Sequence, residues 1–119
     1  MTAIKEVDPC TLKEWLDSGK NICLIDVRQP EEHELTKLNP STLIPLDQLQ
    51  ERVEEIRALV KARPGAPGEP EAVVVYCRSG GRSGQAIAWL QNHGFENLLN
   101  LRGGVNAYSR EADPAIKAY

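Results

Sequence analysis

A cysteine followed by a short loop of arginine, serine and glycine is the part of this sequence best suited to chemistry. Cys77 comes directly after the apolar run Ala72–Tyr76, and the loop Arg78–Ser83 comes directly after Cys77. An apolar, β-branched run of this kind predicts a buried parallel strand, with Cys77 at its carboxyl end. In the loop, Gly80 and Gly81 allow positive φ angles, so the backbone can curl around the sulfur. The pattern predicts a thiol surrounded by backbone amides.

These expected surroundings favour the thiolate form of Cys77. Loop amides and the N-terminus of a following helix both attract anions. The helical pattern begins at Ala86–Leu90, and Gly94 is its expected stop. In such surroundings the pKa of a cysteine falls below the free value of about 8.5. The residues therefore predict an activated nucleophile for covalent catalysis.

The other elements must place this loop at one edge of a sheet. The predicted strands are Ile4–Val7, Ile22–Val27, Leu43–Leu46, Ala72–Tyr76 and Glu96–Leu101. The predicted helices begin after Asp8, Gln29 and Arg102 or lie within Asp47–Arg63 and Ala86–Leu90. Strands that alternate with helices predict a parallel α/β sheet covered on both faces, with ligand sites outside the carboxyl ends of its strands. Asp26, Cys77 and the residues near Arg102 all fall at such ends.

The chain is short and weakly acidic. Its 119 residues are expected to form one domain over residues 1–119, in which the proline- and glycine-rich segment 64–71 is an exposed internal loop. A net charge of -3 argues against nucleic acid or an anionic membrane as a partner. No leader follows Met1 and no apolar stretch approaches the ~18 residues of a membrane span, so we expect a cytoplasmic protein.

The three cysteines do not predict a disulfide framework or a metal site. Cys10, Cys23 and Cys77 are too few and too irregularly spaced for either, and we expect no metal and no cofactor. Cys23 lies inside the apolar run Ile22–Val27, which predicts an inert, packed thiol. A redox role would require Cys10 or Cys23 to approach Cys77 closely.

Three segments resemble the rhodanese family of sulfurtransferases. The loop Cys77–Ser83, CRSGGRS, resembles the family's active-site loop, and Leu24–Arg28 resembles its DVR strand end. Leu101–Tyr108 resembles the GG segment near the C-terminus of the family. The resemblance spans nearly the whole chain. It implies a rhodanese-like three-layer fold with a central, mainly parallel five-stranded sheet and helices on both faces.

The resemblance also implies an activity, that of a thiosulfate sulfurtransferase. The Cys77 thiolate would take a sulfane sulfur from a small anionic donor such as thiosulfate, hold it as a persulfide, and pass it to cyanide or a thiol. Positive charge from Arg78 and Arg82 would attract the donor, although both could be solvated loop charges, with Ser83 as a helix N-cap. The expected binding residues are Arg78, Ser79, Gly80, Gly81, Arg82 and Ser83.

Asp26 and Arg28 interrupt the apolar pattern where the second strand ends. A buried carboxylate needs a partner, which Arg28 or Arg82 could supply. In the family this pair helps to shape the floor and rim of the site, so we expect Asp26 and Arg28 to be site-shaping. An internal salt bridge without a chemical role is the alternative. His33 follows a proline-led acidic turn, and we interpret it as a surface or capping histidine.

Two other functions use the same kind of cysteine. Phosphatases and arsenate reductases carry an arginine in a Cys-x5-Arg loop, whereas Arg82 follows Cys77 after only four residues. A persulfide carrier or regulatory module that docks to a protein donor or acceptor stays open, because a carrier needs the same nucleophile.

The segment 35–42 departs from the family pattern. Relatives usually carry a G-H-I-x-G-A stretch before the next strand, where this chain has LTKLNPST. The segment lies beside the expected rim of the site. We therefore expect it to govern the choice of partner.

Overall fold

Five strands form one sheet in the computed structural model, which describes residues 3–66 and 68–119. The strands are β1 (Lys5–Val7), β2 (Ile22–Asp26), β3 (Thr42–Leu43), β4 (Ala72–Tyr76) and β5 (Leu98–Leu101). The order across the sheet is β1-β5-β4-β2-β3, and every neighbouring pair is parallel. The predicted α/β fold is confirmed, with a sheet that is wholly rather than mainly parallel.

Helices cover both faces of this sheet. They are α1 (Pro9–Asp17), α2 (Pro30–Leu35), α3 (Val53–Leu59), α4 (Gly81–Gln91) and α5 (Gly104–Glu111). Side chains of a strand point alternately to its two faces. Val75 accordingly packs in one apolar core with Ile56 of α3 and Ile87 of α4. Val74 packs in the opposite core with Leu12 of α1.

The apolar runs of the sequence correspond to the interior strands. All five residues of β2 are buried, and β2 pairs with β4 along its whole length. Strands covered on both faces need apolar side chains at every position, which explains the continuous runs. The alternating segment near the N-terminus forms β1 at one edge of the sheet, as predicted, and the very short β3 forms the other edge.

The prediction of one long helix over Asp47–Arg63 is wrong. A 3-10 turn at Leu46–Gln48 comes first, residues 49–52 form turns, and α3 covers only Val53–Leu59. The Leu46 amide donates a hydrogen bond to the Val27 carbonyl, which fixes the 3-10 turn against the end of β2. The helical periodicity of 47–63 does not decide the local structure, because propensity and pattern are weak against tertiary packing.

The helix after the cysteine loop begins earlier than predicted. It begins at Gly81 rather than Ala86, so Ser83 is its third residue and not its N-cap. Gly80 is the N-cap and takes a φ of +106°, whereas Gly81 has no positive φ. Half of the predicted loop is thus the first helical turn, which points its free amides back towards Cys77.

The segment 64–71 contains no helix or strand in its described residues, most of which are exposed, and Pro67 lies outside them. β2 precedes this segment and β4 follows it, and the two pair as neighbours. Both sides of the loop therefore contribute to one sheet. Across residues 3–66 and 68–119, no helix combines the length and apolar content needed to cross a membrane.

The start of α5 supports the cysteine loop from below. The amide of Val105 donates to the Cys77 carbonyl at 2.9 Å, and that of Asn106 donates to the Arg78 carbonyl at 3.1 Å. Gly104 makes this approach possible: a Cβ there would overlap the Arg78 carbonyl and lie 2.5 Å from the Cys77 oxygen. The GG segment is therefore required by close contact as well as by a φ of +62°.

Substituting Gly104 separates these two requirements. Gly104→Ala should lose the ~1–2 kcal/mol expected for a left-handed residue and a further ~1–3 kcal/mol for overlap with the loop. Gly19→Ala is the matched control, because Gly19 has a φ of +79° but no atom within 4 Å of its Cβ position. Urea unfolding measures both losses, and equal losses would contradict the overlap.

Candidate active site

Three neighbouring strands end side by side, and the predicted site residues lie at those ends. β4 ends directly before Cys77, β2 ends at Asp26, and β5 ends at Leu101, where the GG segment begins. Parallel strands place all their carboxyl ends at one edge. The structure therefore brings together the three segments that sequence analysis expected to meet.

The sulfur of Cys77 is buried and hydrogen-bonded by its own loop. The amide of Gly80 donates to Sγ at 3.1 Å, and the amide of Ser83 donates to it at 3.4 Å. The Ser83 hydroxyl oxygen lies 3.3 Å from the same sulfur. Only 1% of Cys77 is exposed, so these contacts replace water around the sulfur.

These contacts set the pKa of the thiol. Burial by itself raises the pKa of Cys77, but hydrogen bonds from the Ser83 hydroxyl and from the amides of Ser83, Gly80 and Ser79 outweigh it and leave the pKa below its usual value. Cys23 is equally buried, and desolvation there raises the pKa to about 11. The loop, and not burial, therefore distinguishes the candidate nucleophile from the packed cysteine.

Asn100 holds the two halves of the loop together. Its side-chain amide donates to the Gly80 carbonyl at 3.1 Å, and its oxygen accepts a hydrogen bond from the Ser83 hydroxyl at 2.6 Å. Sequence analysis missed this residue. The available signal was a polar side chain inside the apolar strand β5, where it is 6% exposed and needs polar partners.

The two loop arginines are held by residues that sequence analysis did not assign to the site. Arg82 forms a two-pronged ion pair with Glu32, at 2.7 and 2.9 Å. The Arg78 guanidinium lies over the ring of Tyr119, 5.0 Å from its centre. The interpretation of both arginines as solvated loop charges is therefore wrong for Arg82.

Asp26 and Arg28 form a fully buried ion pair beneath the site. Arg28 donates from Nε and Nη2 to the two carboxylate oxygens of Asp26, at 2.9 and 2.7 Å. Arg28 is thus the partner of Asp26, and Arg82 is not. His33 also contacts Asp26, with Nδ1 2.8 Å from Oδ2 and its side chain only 16% exposed. The interpretation of His33 as a surface or capping residue is therefore wrong.

The segment 35–42 runs beside this ion pair. The Thr36 carbonyl accepts a hydrogen bond from Arg28 at 2.6 Å. The amide of Leu38 and the hydroxyl of Ser41 lie 3.3 and 2.9 Å from the hydroxyl oxygen of Tyr76, the last residue of β4. The atypical segment is therefore fixed to the strand that carries Cys77.

The three cysteines are free thiols. Cys10 is exposed on α1 and donates to the Glu111 carbonyl at 3.3 Å. In the described part of the chain, no three His, Cys, Asp or Glu side chains are grouped as a metal ion would require.

Comparison with known proteins places these features in a family. The family model described as a rhodanese-like domain matches residues 8–111. A sulfurtransferase of Allochromatium vinosum is 33% identical over 113 residues, which cover 95% of both chains. A rhodanese-like domain of Anabaena sp. superposes with a TM-score of 0.75 over 98% of this chain and 81% of that one, and at 23% identity it supports the fold alone.

Other relatives are much longer than this chain. A probable adenylyltransferase/sulfurtransferase, MoeZ of Mycobacterium tuberculosis, is 31% identical over 115 residues. The match covers 95% of this chain but only 26% of MoeZ. An adenylyltransferase and sulfurtransferase of Zea mays is 34% identical over 107 residues, which are 90% of this chain and 21% of the relative. The chain thus spans about a quarter of the length of these two relatives.

Removing the Ser83 hydroxyl tests the origin of the lowered pKa of Cys77. Ser83→Ala should raise that pKa, because the sulfur loses its contact with the hydroxyl while burial stays. Alkylation of Cys77 should therefore slow several-fold near neutral pH and recover at alkaline pH, as read by site-resolved mass spectrometry with Cys10 as an internal control. An unchanged pH profile would contradict a role for the hydroxyl.

The buried ion pair should matter more to folding than an exposed one. Asp26→Ala leaves the Arg28 guanidinium buried without its partner, which should cost about 3–5 kcal/mol of unfolding free energy. Asp17→Ala, which removes the exposed Lys13–Asp17 pair, should cost less than about 1 kcal/mol. Denaturant unfolding compares the two variants, and similar losses would show that burial adds nothing to this pair.

Proposed function

Because the chain belongs to the rhodanese-like domain family, we propose that it is a sulfurtransferase that carries a sulfane sulfur as a persulfide on Cys77. The observation that supports this most directly is the buried sulfur of Cys77 with two loop amides donating to it and the Ser83 hydroxyl in contact with it. A persulfide is a soft anion, and fixed amide donors stabilise it without a metal or an acid–base pair.

Transfer takes two displacements at sulfur. The Cys77 thiolate attacks the outer sulfur of a donor such as thiosulfate, the sulfur–sulfur bond of the donor breaks, and sulfite leaves with the electron pair. Cyanide or a thiol then attacks the outer sulfur of the persulfide. The product is thiocyanate or a new persulfide, and the thiolate of Cys77 is restored.

The remaining predicted residues receive roles in this proposal. The loop would bind the donor anion and the persulfide, Asp26 and Arg28 would hold the floor of the site, and segment 35–42 would form the rim that selects partners. A free nucleophilic thiol suits a reducing compartment such as the cytoplasm. The binding loop consists of Arg78, Ser79, Gly80, Gly81, Arg82 and Ser83.

A persulfide carrier that receives sulfur from a protein is the second candidate. Two relatives of this chain are described as adenylyltransferase and sulfurtransferase in one protein, and this chain matches about a quarter of each. In addition, Arg82 already has a carboxylate partner, which weakens the case for a small anion as the natural donor. Both candidates use the same persulfide on Cys77 and differ in what delivers it.

Intact mass measurement tests the persulfide directly. After incubation with thiosulfate, the protein should gain the mass of one sulfur atom, and cyanide should remove it as thiocyanate. Cys77→Ser should abolish the gain, whereas Cys10→Ser should retain it, because Cys10 is exposed on α1 and away from the loop. An adduct that persists in Cys77→Ser would contradict the proposal. If only a protein-bound persulfide charges Cys77, the carrier is favoured.

A further inference from the structure

The carboxylate of Glu32 accepts hydrogen bonds from three different residues at the rim of the site. It accepts two hydrogen bonds from Arg82, at 2.7 and 2.9 Å. It also accepts one from the Gln29 amide at 2.9 Å and one from the Tyr119 hydroxyl at 2.7 Å. Four donors therefore fix one carboxylate beside the cysteine loop.

Glu32 is ionised throughout the physiological pH range. The hydrogen bonds from Arg82 lower the pKa of Glu32 to about 2, against the opposing effect of partial burial. Hydrogen bonding to Glu32 in turn raises the pKa of Arg82, and the nearby Cys77 thiolate adds to that rise. Arg82 is the neighbour of Ser83, whose amide contacts the sulfur, while its own donors face a permanent anion.

An oxyanion would need the same donors. Arginine recognises oxyanions through two parallel N–H groups, which in Arg82 are already bound to Glu32. A small dianion such as thiosulfate would have to displace Glu32 or bind beside its negative charge. A less charged persulfide, attacked at its outer sulfur, has no comparable need for Arg82.

We propose that Glu32 is a specificity-determining residue that disfavours small dianionic donors relative to less charged persulfides. The inference rests on the proposed function, because it concerns which donor delivers sulfur to Cys77. It acts through Arg82, because the carboxylate occupies the two N–H groups of the guanidinium that an oxyanion would need.

Tyr119 is a positioning residue for this pair. Its hydroxyl donates to Glu32 and accepts a hydrogen bond from Arg28 at 2.9 Å. Its ring lies beneath the guanidinium of Arg78. The other loop arginine is thereby stacked on the same residue, while the paired donors of Arg82 are the ones that Glu32 occupies.

Glu32→Gln is the decisive variant. Glutamine keeps an acceptor for the Gln29 amide, so the start of α2 stays capped, but it removes the charge that opposes the donor. The KM for thiosulfate should fall about tenfold with kcat nearly unchanged, while kinetics with cysteine persulfide should change less than about twofold. Glu34→Gln, which removes an equal charge from an exposed position on the same helix, is the matched control and should change KM less than about twofold.

The double variant Glu32→Gln/Arg82→Gln tests whether Glu32 acts through Arg82. The fall in thiosulfate KM should vanish in this double variant, because the guanidinium that Glu32→Gln releases is no longer present. A fall in thiosulfate KM that persists without Arg82 would overturn the inference, as would an unchanged thiosulfate KM in Glu32→Gln. An equal fall in KM for thiosulfate and for cysteine persulfide would overturn it as well.

Binding in a Cys77→Ser background separates this inference from the proposed function. Calorimetry with thiosulfate should show about tenfold tighter binding when Glu32→Gln is added, whether or not sulfur is transferred. Tighter binding without any persulfide on the Cys77 protein would refute the proposed function alone. Unchanged affinity, together with normal persulfide formation, would refute the role of Glu32 alone.

Discussion

A negative charge on a buried sulfur is costly unless donors replace the lost water, and the arrangement around Cys77 follows from that constraint. The donors must come from the backbone of a tightly curled loop, since two amides reach Sγ within 3.4 Å. The curl requires Gly80 at positive φ and a helix that begins at once at Gly81. Cys23 has the same burial without such a loop, and its raised pKa shows what burial alone does.

The parallel sheet extends this constraint to the rest of the chain. A curled loop exposes its carbonyls on the side away from the sulfur, and those carbonyls need donors of their own. The amides at the start of α5 serve the carbonyls of Cys77 and Arg78, and Asn100 of β5 serves that of Gly80. β5 and its helix must therefore lie beside β4. The order of strands that achieves this also places β2, with Asp26, on the other side of β4.

Sequence reasoning succeeds where the determining interactions are local. The strand, loop and helix around Cys77 follow one another directly in the sequence. The apolar runs predict strands that are covered on both faces. The partners of the charged residues are not local: Arg82 and Glu32 are 50 positions apart, and Tyr119 and Glu32 are 87 apart. Nor does periodicity distinguish one long helix over 47–63 from a 3-10 turn followed by α3, because the 3-10 turn is held by a hydrogen bond from Leu46 to Val27, which no local pattern reports.

The same distant contacts give the charged side chains around the sulfur partners of opposite charge. Alternating charges and hydroxyls connect the buried pair to the loop, from Asp26 through Arg28, Tyr119 and Glu32 to Arg82. Arg28 and Arg82 each have an acceptor in this series, so Arg82 does not act as a free positive charge of the loop. The backbone amides are the donors that remain directed at the sulfur. Stabilisation of the anion at Cys77 therefore depends on the conformation of the loop more than on its arginines.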